Sequence, residues 1–509
     1  MSKYLLGIDC GSTMVKAVIV DVQGNELAVA GRKIDVTHPQ PGWSENDMTA
    51  LWGKVCDVIR DVLAQSNVPE EEIASVTCTG HGNGLFLVDA DGKPVRPGIG
   101  SADGRARQYI EEWTERNVLG TLRAKTMQAI WPAQPNALLR WLKDYEPDTI
   151  ARTKTLFMCK DYVRFMLTGE AYMEITDMSG TSLIDVGTGK YDDAILEAWG
   201  IADLKRIMPP LKKSHDICGA ITAEAARRTG LREGTPVAGG MFDIDACGLA
   251  VGMVDETRFC IVAGTWGNNQ YISKTPVADE GIFMTSRYSI DGYYLMLEGS
   301  ATSAGNLDWF LKNFFASDAE LLAAKSPEQN IYAFCEEMIN QTTPQDPGIL
   351  FLPFLYGNPV DLDAKGTLVG LQSWHTRGDV MRAVFEGIVF GHLWHAKRLF
   401  RFRDTPDMIR LTGGGRNSKF WAQMFADVFG IPVEIPTGTE LGCLGAAICG
   451  AVAVGLYDSY EQACEAMVKT DRTIMPNREL TELYERKYAR YLKLLDLLAP
   501  GWKSLFFIP

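Results

Sequence analysis

Apolar and polar positions change rhythm repeatedly along this chain, and each change predicts an element. In the opening stretch KYLLGIDCGSTMVKAVIVDVQGNELA, two apolar runs at 5–9 and 15–21 are separated by a Gly-Ser-Thr turn. Gln23-Gly24-Asn25 marks the next reversal, so the opening predicts strand, turn, strand, turn, strand. The spacing then widens: Leu51, Val55, Val58, Ile59 and Val62 recur at helical intervals and predict a helix over 47–65. ASVTCTG at 74–80 returns to a strand and runs into the glycine-rich loop HGNG. Strands mixed with helices in this order predict an α/β domain.

A second start follows. TRFCIVAGTWGNNQYISK at 257–274 is again strand, Gly-Thr turn, strand, a repeat of the opening in pattern and not in identity. IRLTGGG at 409–415 is a strand that meets three glycines. In the following NSKFWAQMFADVFG, Trp421, Met424, Phe425 and Val428 form one apolar stripe, with Gly430 placed to end the helix. IPVEIP is the next strand. After Pro476, Leu480, Tyr484, Tyr488, Tyr491, Leu495 and Leu498 share a face of a closing helix. The pattern predicts two α/β lobes and a tail: 1–252, 253–455 and a helical segment at 456–509, with the lobe boundary near 252–255.

Length and composition agree, since 509 residues exceed one ordinary core and 46% hydrophobic with 22% charged residues is a globular balance. A formal charge of −14 without a Lys/Arg block argues against nucleic acid as the main partner. A phosphate-bearing ligand would then be held by backbone N–H groups, a few local cations and a metal ion. Eleven cysteines stand singly, which suits a reducing compartment and neither a disulfide framework nor a zinc site. His392 and His395 have no spaced acid or Cys partner and read as ordinary core or surface histidines. MSKYLLGIDCG has no basic region or cleavage site of a signal peptide. The apolar run at 444–457 is too short for a bilayer and reads as a buried helix. A soluble, cytoplasmic protein is expected.

Several turns carry candidate chemistry. Gly11, Ser12 and Thr13 offer free backbone N–H groups beside two hydroxyls, a turn able to wrap terminal phosphates, with Lys16 as the one cation in an apolar strand. Asp9, ending the first strand, is placed to hold Mg²⁺ through water. Gly264 and Thr265 repeat this chemistry in the second half. Gly413, Gly414 and Gly415, followed by Asn417 and Ser418 at a helix start, would let a flat base or ribose approach the backbone. His81 in Thr79-Gly80-His81-Gly82-Asn83-Gly84, and Asp103 in Ser101-Ala102-Asp103-Gly104-Arg105, are polar groups of the kind that bind polyols. Each turn also has a plain reading, as a hairpin, a strand-to-helix connection or a solvated loop.

Together these residues resemble the FGGY carbohydrate kinases of the actin-like, ribonuclease-H-like ATPase superfamily. The most specific match is GTLVGLQSWHTRGDVMRAVFE. It meets that family's second-lobe pattern from Gly366, Leu368, Gly370 and Leu371 through Asp379 and Val380 to Ala383, Val384, Phe385 and Glu386. The first-lobe pattern is met in part by QPNALLRWLKDYEP, where Arg140 stands near the family's lysine. Within the family, HPQPGWSENDM, LLRWLKDYEP, GGMFD, ATSAGNLDWF and FLPFLYGNP are most similar to the L-xylulose kinases. Xylulokinases proper usually carry Met-His-Gly and a Trp shortly before the acid. Here those positions read Gly-His-Gly and Gly100-Ser101-Ala102-Asp103.

The resemblance implies two ribonuclease-H-like domains flanking a deep cleft, and ATP- and Mg²⁺-dependent phosphorylation of a terminal hydroxyl of a ketopentose such as L-xylulose. D-xylulose, ribulose, erythritol and glycerol are the alternative acceptors. Such transfer is mostly positioning and charge neutralisation, with a base for the hydroxyl proton and lobe closure to exclude water. The partners it implies are a sugar and ATP, no nucleic acid and no membrane, with a homodimer as the assembly to test. A chaperone-like ATPase would need a peptide-binding module after residue 455, and a sugar-sensing regulator a basic helix-turn-helix; neither pattern is present.

One choice remains, in VAGGMFDIDACG at 237–248. Asp243 and Asp245 are one residue apart, and on a helix they point about 200° from each other, so both cannot face one site. Asp243 follows the Gly-Gly turn as the family's base does. It is expected to stay ionised at the helix start, with His81 and Asp103 orienting the sugar, while Asp245 complements the first helical turn, worth ~0.3–1 kcal/mol.

Overall fold

A computed structural model describes residues 3–325, 330–344, 348–357 and 363–506. The chain forms two compact α/β units. The first comprises Met1–Asp255, Ile272–Met296 and Gly438–Lys469; the second comprises Glu256–Tyr271, Leu297–Thr437 and Thr470–Pro509.

In the first unit the opening runs form an antiparallel hairpin, Tyr4–Cys10 with Met14–Asp21, and Glu26–Lys33 continues it. Ile73–Gly80 lies parallel to Tyr4–Cys10 on its other edge. Pro236–Ala238 and Met241–Phe242 are in turn parallel to Ile73–Gly80. The central strands are buried almost throughout, which is why they read as continuous apolar runs and not as alternation. The helix Met48–Ser66 packs on the hairpin strands with Leu51, Val55, Val58, Ile59 and Val62 buried, as their spacing predicts. Asp47 caps its first turn by accepting from Thr49 N and Ala50 N.

The run at 444–457 falls largely in the buried helix Leu441–Ala453. Its small residues have a steric cause. A Cβ on Gly7 would lie 2.0 Å from the Cys443 carbonyl oxygen, and one on Gly445 2.0 Å from that of Ala246. A Cβ on Gly450 would lie 2.5 Å from Ser75 Oγ and Thr77 Oγ1. Backbone meets backbone here, so the helix can sit this close only without side chains.

The second unit repeats the theme. Arg258–Ala263 and Gly267–Ser273 form an antiparallel hairpin, Met408–Thr412 lies parallel to its first strand, and Val433–Pro436 and Thr470–Ile474 extend the sheet. A hairpin with a parallel neighbour on its first strand thus occurs in both units, and the repeat read from the sequence is topological.

The residues of the most specific motif stand at Thr367–Val369 and on the helix Arg377–Leu399. Asp379 closes a capping box with Thr376, and Ala383, Val384 and Phe385 are buried. Glu386 pairs with Lys487 of the closing helix Arg478–Leu498, where Tyr484 and Tyr491 pack around Phe390. His392 and His395 are satisfied core histidines. His392 is bonded to Ser303 Oγ (2.9 Å) and Asn269 Oδ1 (3.1 Å), and His395 to Ser300 Oγ (2.7 Å) and Glu298 Oε2 (2.8 Å). None of the eleven cysteines is joined in a disulfide. Among the described residues no helix is long and apolar enough to cross a membrane.

Candidate active site

In the first unit the expected residues gather where three parallel strands end together. Asp9 is in register with Thr79, and Thr79 with Met241. One step further, Cys10, Gly80 and Phe242 are level. The next residues on two of these strands are His81 and Asp243, so Asp9, His81 and Asp243 share one carboxyl edge of the sheet, where open α/β sheets carry their sites. The edge is stitched together: His81 N donates to Cys10 O at 3.1 Å, and Thr79 Oγ1 donates to Met241 O at 2.8 Å. Gly240, with φ +80°, makes the turn before Asp243, and a Cβ there would lie 1.9 Å from Cys78 O.

Asp243 begins the helix Asp243–Ala250 and is partly buried. Burial and the Asp9 charge push its carboxyl up to about 7, against His81 and the N–H groups of Ile244 and Asp243 itself. The expectation of a permanently ionised carboxylate is therefore corrected. The helix N-terminus favours the anion, but the loss of solvent outweighs it, and the group titrates near neutrality. Asp9 is raised to about 6 by burial, with Lys16 opposing and Glu440 adding. Its Oδ1 is out of solvent and has no hydrogen-bond partner.

Asp245 differs more. It is fully buried, its carboxyl lies well above the usual range through burial and the nearby Glu174, and its Oδ2 has no partner. Both effects favour the neutral acid and so work against the first-turn dipole contribution expected of a carboxylate there.

Gly11, Ser12 and Thr13 form the hairpin turn, with both hydroxyl residues exposed. Lys16 is opposite Asp9 in the hairpin, and its ammonium donates to Glu440 Oε2 at 2.7 Å. Glu440 is not legible from local pattern, because the pairing joins residues 424 positions apart.

Asp103 has its acceptor directions filled. Oδ1 accepts from Arg105 N and Nε, both at 2.9 Å; Oδ2 accepts from Ser44 N at 2.7 Å and Arg105 Nη2 at 2.9 Å. An ionised carboxylate has about four such sites. The Arg105 guanidinium lies 3.9 Å from the Trp43 ring centroid and also reaches Glu45 at 2.7 Å. Asp103 therefore braces its loop through Arg105 and Ser44 N.

In the second unit Gly264, Thr265, Gly414, Gly415, Asn417 and Ser418 line one cavity of about 740 Å³. Gly413 makes the turn with φ +79°, and a Cβ there would meet Ala263 C at 2.6 Å. A Cβ on Gly414 would meet nothing within 4 Å, so this glycine leaves backbone open. Ser418 is occupied as the N-cap of Lys419–Phe429, its Oγ accepting from Trp421 N at 2.8 Å. Phe385 and Trp421, with ring centroids 5.0 Å apart, also line the cavity, and Trp421 Nε1 is a buried donor without a partner. Leu307 and Asp308 complete one wall. These walls went unread in the sequence, because an aromatic stripe on a helix looks the same whether it faces a core or a cavity.

Two family models match the chain. The N-terminal domain of the FGGY family of carbohydrate kinases matches residues 4–250, and the C-terminal domain of that family matches residues 259–454. The chain belongs to the FGGY family of carbohydrate kinases. This kinase is 37% identical over 504 residues, 98% of each chain, to the L-xylulose/3-keto-L-gulonate kinase of Escherichia coli (strain K12). It is 34% identical over 499 residues, 97% of this chain and 99% of the other, to the probable L-xylulose kinase of Pasteurella multocida (strain Pm70). Among solved structures, a ligand-bound xylulose kinase from Lactobacillus acidophilus superposes with a TM-score of 0.90 at 22% identity, covering 99% of this chain and 100% of that one. A xylulose kinase from Rhodospirillum rubrum superposes with a TM-score of 0.87 at 27% identity, over 98% and 100%. Kinases of this family use ATP.

Proposed function

We propose that this kinase transfers the γ-phosphoryl group of ATP to a terminal hydroxyl of L-xylulose or a ketopentose of the same stereochemistry, with Asp243 as the general base. The observation that carries the base is the shared carboxyl edge. Asp243 follows a glycine turn beside His81 and Asp9, and its carboxyl titrates near neutrality, where a base can both hold and release a proton. His81 and Asp103 orient the sugar, Asp103 from the loop it braces with Arg105. The L-xylulose assignment rests on the two relatives at 37% and 34% identity over nearly full length.

The second unit's cavity takes the nucleoside. Gly414 leaves backbone open to ribose and base, Phe385 and Trp421 give an apolar wall, and Gly264 and Thr265 of the same lining would donate to phosphate oxygens. In the first unit the exposed Gly11-Ser12-Thr13 turn presents N–H and O–H donors to phosphate oxygens, and Lys16 contributes a partly neutralised cation. The Asp9 carboxylate, with its unpartnered Oδ1, fits an Mg²⁺ ion held through water. Bound there, the ion would neutralise charge on the transferring phosphate. Asp243 accepts the hydroxyl proton as the oxygen attacks phosphorus.

Sugar-dependent ADP release across L-xylulose, D-xylulose, ribulose, 3-keto-L-gulonate, erythritol and glycerol tests the reading. L-Xylulose is expected to show the largest kcat/KM, by at least about tenfold, since a site that hydrogen-bonds specific hydroxyls rejects analogues strongly. A higher kcat/KM with another acceptor overturns the substrate, and no ADP release with any overturns the site. Asp243→Asn should fold normally and lose ~10²–10⁴ in kcat.

A further inference from the structure

Beside the turn that delivers Asp243 lies a buried ion cluster that the reaction as described leaves unused. Lys160 Nζ is 2.9 Å from Asp161 Oδ2, 3.3 Å from Glu174 Oε2 and 3.7 Å from Asp177 Oδ2. Arg164 Nη1 is 2.5 Å from Asp161 Oδ1. All five side chains are withdrawn from solvent. Burying such a cluster is no cheap source of stability, because well-packed apolar residues do as well or better. What ions and hydroxyls add is direction.

The cluster's hydrogen bonds converge on one segment. Arg164 Nη1 donates to the Gly239 carbonyl at 2.7 Å. Glu174 Oε1 accepts from Ser214 Oγ at 2.8 Å, and Gly240 N donates to Ser214 O at 3.0 Å. Glu174 Oε2 accepts from Thr176 Oγ1 at 2.7 Å, and that hydroxyl accepts in turn from Phe242 N at 2.9 Å. Phe242 directly precedes Asp243. With its proton given to Glu174, the Thr176 hydroxyl can only accept from Phe242, so the direction of the chain is fixed from the carboxylate outward.

We propose that Thr176 is a positioning residue for phosphoryl transfer, linking the buried Lys160–Glu174 pair to the peptide that carries Asp243 and fixing the base against the sugar hydroxyl. The proposal rests on Asp243 being the base. Thr176 touches neither Asp243 nor substrate. A misplacement of about 1 Å costs on the order of 10²-fold in rate, so losing this tether shows in kcat before it shows in binding.

The test is Thr176→Val, which keeps the shape and removes the hydroxyl, beside Thr176→Ser, which keeps it. Thr176→Val is expected to lose about 10–100-fold in kcat with KM for sugar and ATP within about threefold. Thr176→Ser should stay within about threefold of the parent, and amide exchange over 240–243 should speed up in the Val variant only. A Val variant with parental kcat, a Ser variant as impaired as the Val variant, or a KM that rises in step with the loss would each overturn the proposal. Should the Val variant not fold, the parent protein decides. A Phe242 amide as protected as its strand neighbours supports the tether, and one that exchanges like an exposed loop amide overturns it. Asp243→Asn in the same assay separates the two readings: activity retained there overturns the base and this proposal with it, whereas activity lost there while Thr176→Val stays active overturns only the positioning role.

Discussion

Asp243 and Asp245 are two positions apart on one helix start, yet their surroundings give them different chemistry. Asp243 is partly buried beside Asp9 and His81 and titrates near 7; Asp245 is sealed in, and burial pushes its carboxyl well above the usual range. The spacing argument separates the two acids correctly, but it has no measure of solvent loss, which is what sets their charge. A pH prediction follows for the proposed base. Because Asp243 must be ionised to accept a proton, kcat/KM should fall about tenfold per pH unit below about 7 and level off above it. A rate profile from pH 5.5 to 9 checks this, and a flat profile across that range would exclude Asp243 as the titrating base. Asp245→Asn replaces an acid that burial drives toward its neutral form with a neutral amide of the same shape. It should keep kcat within about threefold and leave the urea midpoint at pH 7 almost unchanged, whereas a large loss of activity with the fold intact would mean that Asp245 takes part in the reaction.

At the scale of elements, the features that match the family most closely serve the fold. Asp379 accepts from Thr376 N and Oγ1 at 2.8 and 2.7 Å, and Asp379 N donates to Thr376 Oγ1 at 3.4 Å, closing the box at the start of a 23-residue helix. Thr376→Ala should cost about 1 kcal/mol by urea unfolding with nucleotide affinity unchanged. The glycines of Leu441–Ala453 make a steeper prediction. A Cβ on Gly445 would overlap the Ala246 carbonyl, and backbone cannot rotate away as a side chain can. Gly445→Ala should therefore cost at least the ~1–3 kcal/mol of an overpacked core and lower kcat, because the displaced helix is the one that begins at Asp243. Both strands of each hairpin, the helix over 47–65 and the closing helix were legible from period alone, since each buries one continuous face or both. The Glu440 partner of Lys16, the Lys160 cluster and the cavity wall at Phe385 and Trp421 were not. Each depends on contacts between segments far apart in the chain, and local periodicity does not encode those.

At the scale of the whole molecule, the two-unit α/β plan was readable because the hairpin-and-parallel-strand unit occurs twice, while the interleaving of segments, with 438–469 joining the first unit, left no local mark. The chain's acidity has a further consequence for stability. Four carboxyls in the first unit have folded values raised above the usual carboxylate range: Asp9 to about 6, Asp243 to about 7, Asp177 to about 8, and Asp245 well above that range, burial being the largest cause in each. For such groups the native state binds more protons than the unfolded chain, so unfolding free energy falls as pH rises. The stabilisation is fully present below the unfolded carboxylate value near 4 and is lost as pH climbs through about 6, 7 and 8 in turn. With Asp243 as the proposed base, activity would need it ionised, so the two demands would cross close to neutrality. Asp177 allows a separation, since both its oxygens lack hydrogen-bond partners and an amide of equal size loses only the 3.7 Å ion pair with Lys160. Asp177→Asn should match the parent near pH 5.5 and exceed it in urea midpoint by a margin that grows up to about pH 8.5, the direction set by removing a proton that must otherwise be lost in the interior. Equal midpoints at pH 8.5 would show that Asp177 titrates like an exposed acid.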